Sequence, residues 1–427
     1  MYVHISKEIG MSKVLVRTVV LAAALAMVTV SAYANDSLFS PFDISDGNGK
    51  ALSLDKSYHA LADDPATASL QLVQANPSAL NEKAVSLDLN LTLGLTLRAL
   101  RVSSYATTSG VLVWSGVVAD AGSVTVPFSP EEVRFDPINS VVLVKNGDRI
   151  TGNVHYNGEW YKIRPLKTGA HAIVLANVNA MPPDHPESYA TLPRIGMPRR
   201  PAGQAKVNTV IRVLVNYTPA AAAASGDIVG LINLAVAESN QGYANSGVFI
   251  DLALAAQGQT SYTESGSFDT DLARYRGTSD GFMDEIHATR DANAADVAVL
   301  IINNTQYCGL ASGIGSTAAT AFVAVYWDCA TGYYSFAHEI GHLQSARHDP
   351  KNDPTTTPYA WGHGYQYTKS PSWRTIMAYN CTGLGCPRLN YWSNPNNLYN
   401  GVPMGTATKN DNHRVLNDTR ATVSAFR

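Results

Sequence analysis

Residues 338–349 read His-Glu-Ile-Gly-His-Leu-Gln-Ser-Ala-Arg-His-Asp. On a helix, His338 and His342 stand one turn apart, so both imidazoles leave the same face and can reach one metal ion. Glu339 stands beside them, placed to take a proton from a water on that metal and not to bind the metal itself. His348 lies too far along to share the face, so the chain must turn back after about residue 344 to deliver a third imidazole. Three neutral imidazoles with an open fourth position are the ligand set of a catalytic zinc ion and not of a closed structural one. A bare HExxH pair can arise on a bland surface helix, whereas HExxHxxxxxH arises by chance on the order of 10⁻⁴ per chain of this histidine content. His363 and His413 have no ligand spacing and read as structural or exposed. Nothing in the sequence assigns or excludes a calcium ion.

The scaffold for these residues must come from 427 residues, a length that suggests two to three domains at roughly 150 residues each. With 45% hydrophobic and 15% charged residues the chain can bury a sizeable core, and a net charge of −3 offers no footprint for nucleic acid. If translation starts at Met11, Lys13 and Arg17 precede an apolar run from Val19 to Val30, and Ala32-Tyr33-Ala34 has the small-x-small form of a cleavage site. An apolar run of about 12 residues is too short to span a bilayer, so residues 1–34 read as a signal peptide cleaved after Ala34, which makes the protein secreted, extracellular and without a membrane span once the signal is removed. Cys308, Cys329, Cys381 and Cys386 are an even, clustered set that in an exported protein reads as two disulfides. Three pairings are open, and the spacing favours Cys308–Cys329 with Cys381–Cys386.

Residues 84 to 178 read as strands, at Val85–Leu97, Gly110–Val118, Val124–Pro127, Val141–Val144, Ile150–Tyr156, Glu159–Ile163 and Ala172–Leu175, with turns at Asn146-Gly147 and Asn157-Gly158. From Met181 to Lys206 the composition turns to Pro, Gly and basic residues, the signature of an exposed linker open to proteolytic nicking. Beyond it strands and helices mix: strands at Val210–Tyr217, Gly247–Ala255, Val297–Ile302 and Ala321–Trp327, helices at Asp227–Asn240, Gly281–Asp291, Tyr334–Ala346 and Asn412–Ala425. The expected division is therefore a signal peptide at 1–34, a β-rich module at 35–200 with its linker at 181–206, and an α+β domain at 202–427 carrying the histidines.

The motif resembles that of the metzincin metalloproteases, HExxHxxGxxH followed by a Met-turn, which Thr375-Ile376-Met377-Ala378-Tyr379 matches. Closer still is the resemblance to the bacterial peptidyl-Asp metalloendopeptidases, through His338–Asp349, Cys308-Gly309-Leu310-Ala311 and Tyr391-Trp392-Ser393-Asn394-Pro395. The resemblance covers roughly Val210 to the C-terminus. It implies a metzincin-type catalytic domain, a mixed twisted sheet with an active-site helix and a C-terminal helix. It further implies His338, His342 and His348 as ligands of one Zn²⁺, Glu339 as general base, Met377 as the hydrophobic floor beneath the metal, Asp349 as a brace of the ligand loop, and Tyr379 beside the metal or the oxyanion. Ser345 departs from the pattern, because the family usually has Gly there for a turn with positive φ, and another residue costs on the order of 1 kcal/mol. The β-rich module, with Gly152-Asn153-Val154 and Tyr161-Lys162-Ile163-Arg164-Pro165, is similar to reprolysin-like propeptides. Many of those inhibit through a cysteine, and residues 35 to 200 contain none, so latency must come from another ligand or from steric cover.

Together these readings describe a secreted zinc endopeptidase, a hydrolase made as a monomeric zymogen with its own propeptide as inhibitor. Its peptide substrate would add as a strand along Ala321–Trp327, taken as the sheet edge. Charge is unevenly spread: residues 351–427 carry eight Lys/Arg against three Asp, while residues 251–300 carry nine Asp/Glu against three Arg. A basic pocket wall in the later segment favours an acidic P1′ side chain, with Lys369, Arg374 and Arg388 as candidates for gripping its carboxylate. Two other readings remain at this level, a metzincin of different specificity and a non-catalytic zinc-bound adhesion or binding domain. The retained Glu339 argues against the second.

Overall fold

Between residues 86 and 92 every second side chain is buried, with Leu87, Leu89 and Leu91 facing inward, the pattern of a strand with one covered face. In the computed structural model, which describes residues 37–44, 46–121, 133, 136–186, 197, 207–383 and 385–427, this strand closes one edge of a nine-stranded antiparallel sheet. The leader, the strand expected at Val124–Pro127 and, apart from Met197, the stretch Arg194 to Arg200 lie outside the described residues. In chain order the strands are β1 (Phe39–Pro41), β2 (Thr67–Ala75), β3 (Ser86–Thr92), β4 (Leu95–Ala106), β5 (Leu112–Asp120), β6 (Ser140–Asn146), β7 (Arg149–Tyr156), β8 (Glu159–Pro165) and β9 (His171–Ala176). They lie in the order β1-β2-β9-β8-β7-β6-β5-β4-β3, and two short helices, α1 (Asp46–Leu52) and α2 (Lys56–Ala62), join β1 to β2.

Several boundaries differ from the sequence reading. Val85–Leu97, expected as one strand, is a hairpin: Leu93 and Gly94 form its exposed tip and β3 pairs back onto β4. The strand β2 and its helices were absent from the expectation because polar residues interrupt their apolar ones. The two Asn-Gly turns do connect β6 to β7 and β7 to β8, with Gly147 and Gly158 at positive φ.

The second sheet is mixed. It is formed by β10 (Thr209–Tyr217), β11 (Ile250–Gln259), β12 (Val297–Ile302), β13 (Gly309–Ala311) and β14 (Phe322–Tyr326), in the order β11-β10-β12-β14-β13. The first four are parallel and β13 runs antiparallel to β14 at the end. Ala321–Trp327 is therefore not an edge: its strand β14 lies between β12 and β13 and every residue of it is buried. The continuous apolar run Phe322-Val-Ala-Val-Tyr326 is what burial on both faces requires, and β13 is the edge strand beside it.

Helices α3 (Pro219–Ala224), α4 (Ile228–Ser246), α5 (Phe268–Arg276), α6 (Glu285–Ala292), α7 (Ser335–Leu343) and α8 (Asn412–Val423) accompany this sheet, and two small hairpins, β15 (Gln366–Tyr367) with β16 (Trp373–Arg374) and β17 (Asn394–Tyr399) with β18 (Val402–Met404), follow α7. Helix α4 is buried over most of its circumference: Leu234 and Ala237 pack on Val111, Val113, Val142 and Val144 of the nine-stranded sheet, while Leu231, Ile232 and Ala235 join the core of the second sheet. Between the two sheets Lys162 Nζ meets Asp328 Oδ2 at 2.6 Å. Among the described residues no helix is long and apolar enough to cross a membrane.

Candidate metal centre

All nine residues of α7 are buried, which fixes the direction of every side chain that leaves it. The helix starts after Tyr334, at φ 64°, and ends at Leu343. Ser345 follows at φ 74°, the left-handed conformation that lets the chain double back and return His348 to the helix face. Gly341 permits close packing underneath, since a Cβ there would fall 2.6 Å from Trp392 Cη2 and 3.3 Å from Met377 Sδ. Met377 is fully buried there, and the carbonyl of its neighbour Ile376 receives the His338 Nδ1 proton at 2.9 Å.

The Nε2 atoms of His338, His342 and His348 form a triangle with sides of 3.0, 3.1 and 3.1 Å. His342 Nδ1 lies 2.8 Å from the Ala346 carbonyl, as His338 Nδ1 lies on Ile376. A carbonyl only accepts, so these Nδ1 atoms carry the protons and the Nε2 atoms carry lone pairs. Burial pushes the pKa of all three imidazoles well below the usual value, keeping them neutral. Converging buried lone pairs with no proton between them need a cation, and three neutral imidazoles suit zinc.

A fourth imidazole joins them. His185, from the stretch read as an exposed linker, places its Nε2 2.9 Å from that of His338 and 3.3 Å from that of His342, and it is buried. The four residues form the group able to hold a metal ion among the described residues. Its Nδ1 lies 3.0 Å from the Gly309 carbonyl, which leaves Nε2 unprotonated, and burial lowers its pKa to about 4. The backbone before it lies along the outer side of β13, where the Cys308 and Gly309 amides donate to the Pro183 and Asp184 carbonyls at 2.8 and 3.3 Å. At its described residues 183–185 the stretch therefore packs against β13 and the histidines and is not a free linker.

Glu339 is buried with Oε1 3.5 Å from His185 Nε2 and with Oε2 lacking a hydrogen-bond partner. Burial holds its carboxyl well above the ordinary range, Asp184 adds to the rise, and Arg388 opposes it. A Cβ on Gly309 would run into this carboxyl, so the glycine is what admits Glu339 to the cluster. The Tyr379 ring lies 4.3 Å from the His348 ring, centroid to centroid, and its amide donates to Asp349 Oδ1 at 3.0 Å, which ties the turn after Met377 to the residue after His348. Burial, then Asp184 and Glu339, raise the Tyr379 pKa.

Beside the cluster lie two buried guanidinium groups. Arg388 Nη2 donates to Asp184 Oδ2 at 2.7 Å and Nη1 to the Tyr333 carbonyl at 2.9 Å, with the guanidinium over the Tyr333 ring. Arg374 Nη1 is 3.6 Å from the same Asp184 oxygen and donates to Ala378 O at 2.8 Å, while Nη2 donates to Tyr333 Oη at 3.1 Å. Burial would raise the Asp184 pKa, but Arg388 and Arg374 outweigh it and hold the carboxylate below its ordinary value. Lys369 is on the exposed turn between β15 and β16 and is not brought to this site. The disulfides are Cys308–Cys329 and Cys381–Cys386. The first borders β13; in the second, the Cys386 carbonyl accepts from Arg374 Nε. His363 donates to the His348 carbonyl at 2.8 Å, and His413 pairs with Asp411 at 3.3 Å.

Asp184 and His185 escaped the sequence reading because 153 residues separate His185 from His338 and no local spacing links them. The available signal was Pro182-Pro183-Asp184-His185-Pro186, a ligand-type residue next to a carboxylate within a stretch stiffened by proline.

Residues 207–393 match the family model described as Metallo-peptidase family M12. The chain is 53% identical over 371 residues to a peptidyl-Asp metalloendopeptidase of Stenotrophomonas maltophilia (strain R551-3), covering 85% of this chain and 88% of that protein. It is 52% identical over 370 residues to one of Xanthomonas campestris pv. campestris, covering 85% and 87%. A Pseudomonas fragi protein of the same description is 55% identical over 190 residues, which are 44% of this chain and all of that protein. The histidine cluster with its buried carboxylate, and similarity at this level over most of the chain, mark it as a metalloendopeptidase that belongs to the family of the peptidyl-Asp metalloendopeptidases.

Proposed function

We propose that the protein is a secreted zinc endopeptidase of metzincin type, made as a zymogen and cutting peptide bonds on the N-terminal side of acidic residues, Asp above all. The observation that carries the reading is the triangle of His338, His342 and His348 Nε2 atoms with the unpartnered Glu339 oxygen beside it. His338, His342 and His348 would hold the zinc ion. When bound, zinc supplies Lewis-acid polarisation of the scissile carbonyl and lowers the pKa of a water towards ~7. Glu339 takes a proton from the attacking water on its free oxygen and passes it to the departing amine. The Asp349 contact to the Tyr379 amide holds the tyrosine beside His348, where we assign its hydroxyl to the substrate carbonyl oxygen. Met377 and Trp392 form the apolar floor that keeps α7 from shifting.

Arg388, backed by Arg374, is assigned to the P1′ carboxylate. Both are buried, both are held by backbone carbonyls, and both already face a carboxylate in Asp184. An extended substrate would add to the outer side of β13 through its main chain, at the amides of Cys308 and Gly309. We assign residues 1–34 to the signal peptide, residues 35–200 to the propeptide, and residues 202–427 to the mature monomeric enzyme, with maturation between Arg194 and Arg200.

The test is digestion of an unstructured protein by the purified enzyme and by Glu339→Gln, with cut sites mapped by mass spectrometry. Loss of cleavage in the variant with zinc retained, and cuts enriched for Asp at P1′, are expected. Wild-type rates in Glu339→Gln would overturn the mechanism, and cuts without acidic enrichment would overturn the specificity. N-terminal sequencing of the mature form tests the boundary, and a start before about residue 180 would contradict it.

A further inference from the structure

Asp184 and His185 are adjacent in the chain and occupy both halves of the site just assigned, one against Arg388 and one against the histidines. We propose that this pair is the latency device of the zymogen: His185 supplies the fourth metal ligand, while Asp184 fills the pocket for an acidic side chain. The segment 183–185 then behaves as a bound acidic peptide that cannot be cut. The inference rests on the reading of the cluster as a zinc peptidase site.

The ligand half stands on geometry. The His185 Nε2 lies 2.9 and 3.3 Å from two others, whereas a regular tetrahedron with zinc–nitrogen bonds of 2.0–2.1 Å has edges of about 3.3 Å. The contact of its Nδ1 with the Gly309 carbonyl fixes the tautomer and aims the lone pair at the shared centre. The Glu339 carboxyl, beside which the attacking water belongs, has this imidazole 3.5 Å from its Oε1. A ligand in that place closes the position that hydrolysis needs open.

The pocket half explains why the segment stays. Asp184 makes a charge-assisted hydrogen bond to a buried Arg388, and its backbone carbonyl and that of Pro183 are tied to Gly309 and Cys308. Both carbonyls point at the strand and are engaged there, and Pro182, Pro183 and Pro186 restrict the backbone on either side. With no cysteine between residues 35 and 200, an imidazole is the ligand the segment brings in place of a thiolate.

The experiment uses the full chain carrying Glu339→Gln, which cannot process itself, stripped of metal and reloaded with Co²⁺, with azide as probe of an open position. The parent should bind about one Co²⁺ per chain and show a visible spectrum that azide leaves unchanged. His185→Ala should give a spectrum that azide shifts, and Asp184→Asn should begin to respond at azide concentrations that leave the parent unchanged, since the segment has lost its charged anchor. His185→Cys should acquire a thiolate-to-cobalt charge-transfer band, a positive signature that guards against a misfolded alanine variant. Equal azide response in parent and His185→Ala, or a Co²⁺-loaded His185→Cys without the band, would overturn the ligand role; an unaltered azide response in Asp184→Asn would overturn the anchor. Failure of the parent to take up Co²⁺ would sink the zinc reading itself and the inference with it.

Discussion

Lys162 Nζ and Asp328 Oδ2 lie 2.6 Å apart with both side chains fully buried, 166 residues apart in sequence, one on β8 and the other just after β14. A pair withdrawn from water this completely is sensitive to the loss of one partner, because the other charge is left without compensation. Lys162→Met should destabilise the full chain by about 3–5 kcal/mol in urea unfolding. Lys162→Met with Asp328→Leu should recover most of that loss. Equal stability of the single and double variants would show that the charge left behind is not what costs stability.

Arg388→Met should lower kcat/KM for a peptide with Asp at P1′ by about 10²-fold in the mature enzyme, the scale expected for removing one member of a buried charge pair. A peptide identical but for Ala at P1′ should lose far less. Parallel losses on both peptides would mean that the guanidinium supports the fold and not the choice of substrate.

Gly341→Ala places a methyl group 2.6 and 2.7 Å from two carbons of a Trp392 ring that is fully buried and cannot swing aside. Overpacking of this kind costs about 1–3 kcal/mol even after the better helix propensity of alanine. A lowered Tm with weakened zinc retention against a chelator is expected, since the same helix carries His338 and His342.

Ser345 carries two penalties, a positive φ of 74° and a buried hydroxyl without a partner. Ser345→Gly relieves both and should raise stability by about 1 kcal/mol. Thermal unfolding checks it; a lower Tm would show that the hydroxyl has a partner in solution.

His171 accepts the Ile150 amide on Nε2 at 3.1 Å, and burial lowers its pKa to about 4. The unfolded chain, with an ordinary value near 6.5, binds this proton more readily than the folded one. Its contribution is therefore complete above about pH 6.5 and is lost as pH falls towards 4, up to about 3 kcal/mol. Urea unfolding of the full chain between pH 7 and 4 should fall more steeply for the parent than for His171→Gln.

The legibility of the site followed the range of the constraint. His338, Glu339, His342 and His348 are read directly because helix geometry and one reversal at residue 345 link them within 11 residues. The edge strand was misplaced because Gly309–Ala311 is too short to carry a period, whereas the longer run at 322–326 was visible and its unbroken apolarity pointed to the sheet interior. The uneven charge drew attention to Arg374 and Arg388 but could not separate them from Lys369, since burial depends on where the chain after α7 is folded. His185 depends on a contact across 153 residues, beyond any local pattern.

Helix α4 has apolar contacts on opposite sides, to Val111, Val113, Val142 and Val144 on one and to the second sheet on the other. On the proposed maturation, one cut near residues 194–200 would leave the two pieces held by this greasy seam and by Lys162–Asp328, with Asp184 and His185 still seated. Nicking and switching on are then separate events. The first is chemistry on one bond, and the second is a dissociation whose extent falls as the pieces become more concentrated. Dilution would drive the second forward, and digestion of the freed sheet would make it irreversible.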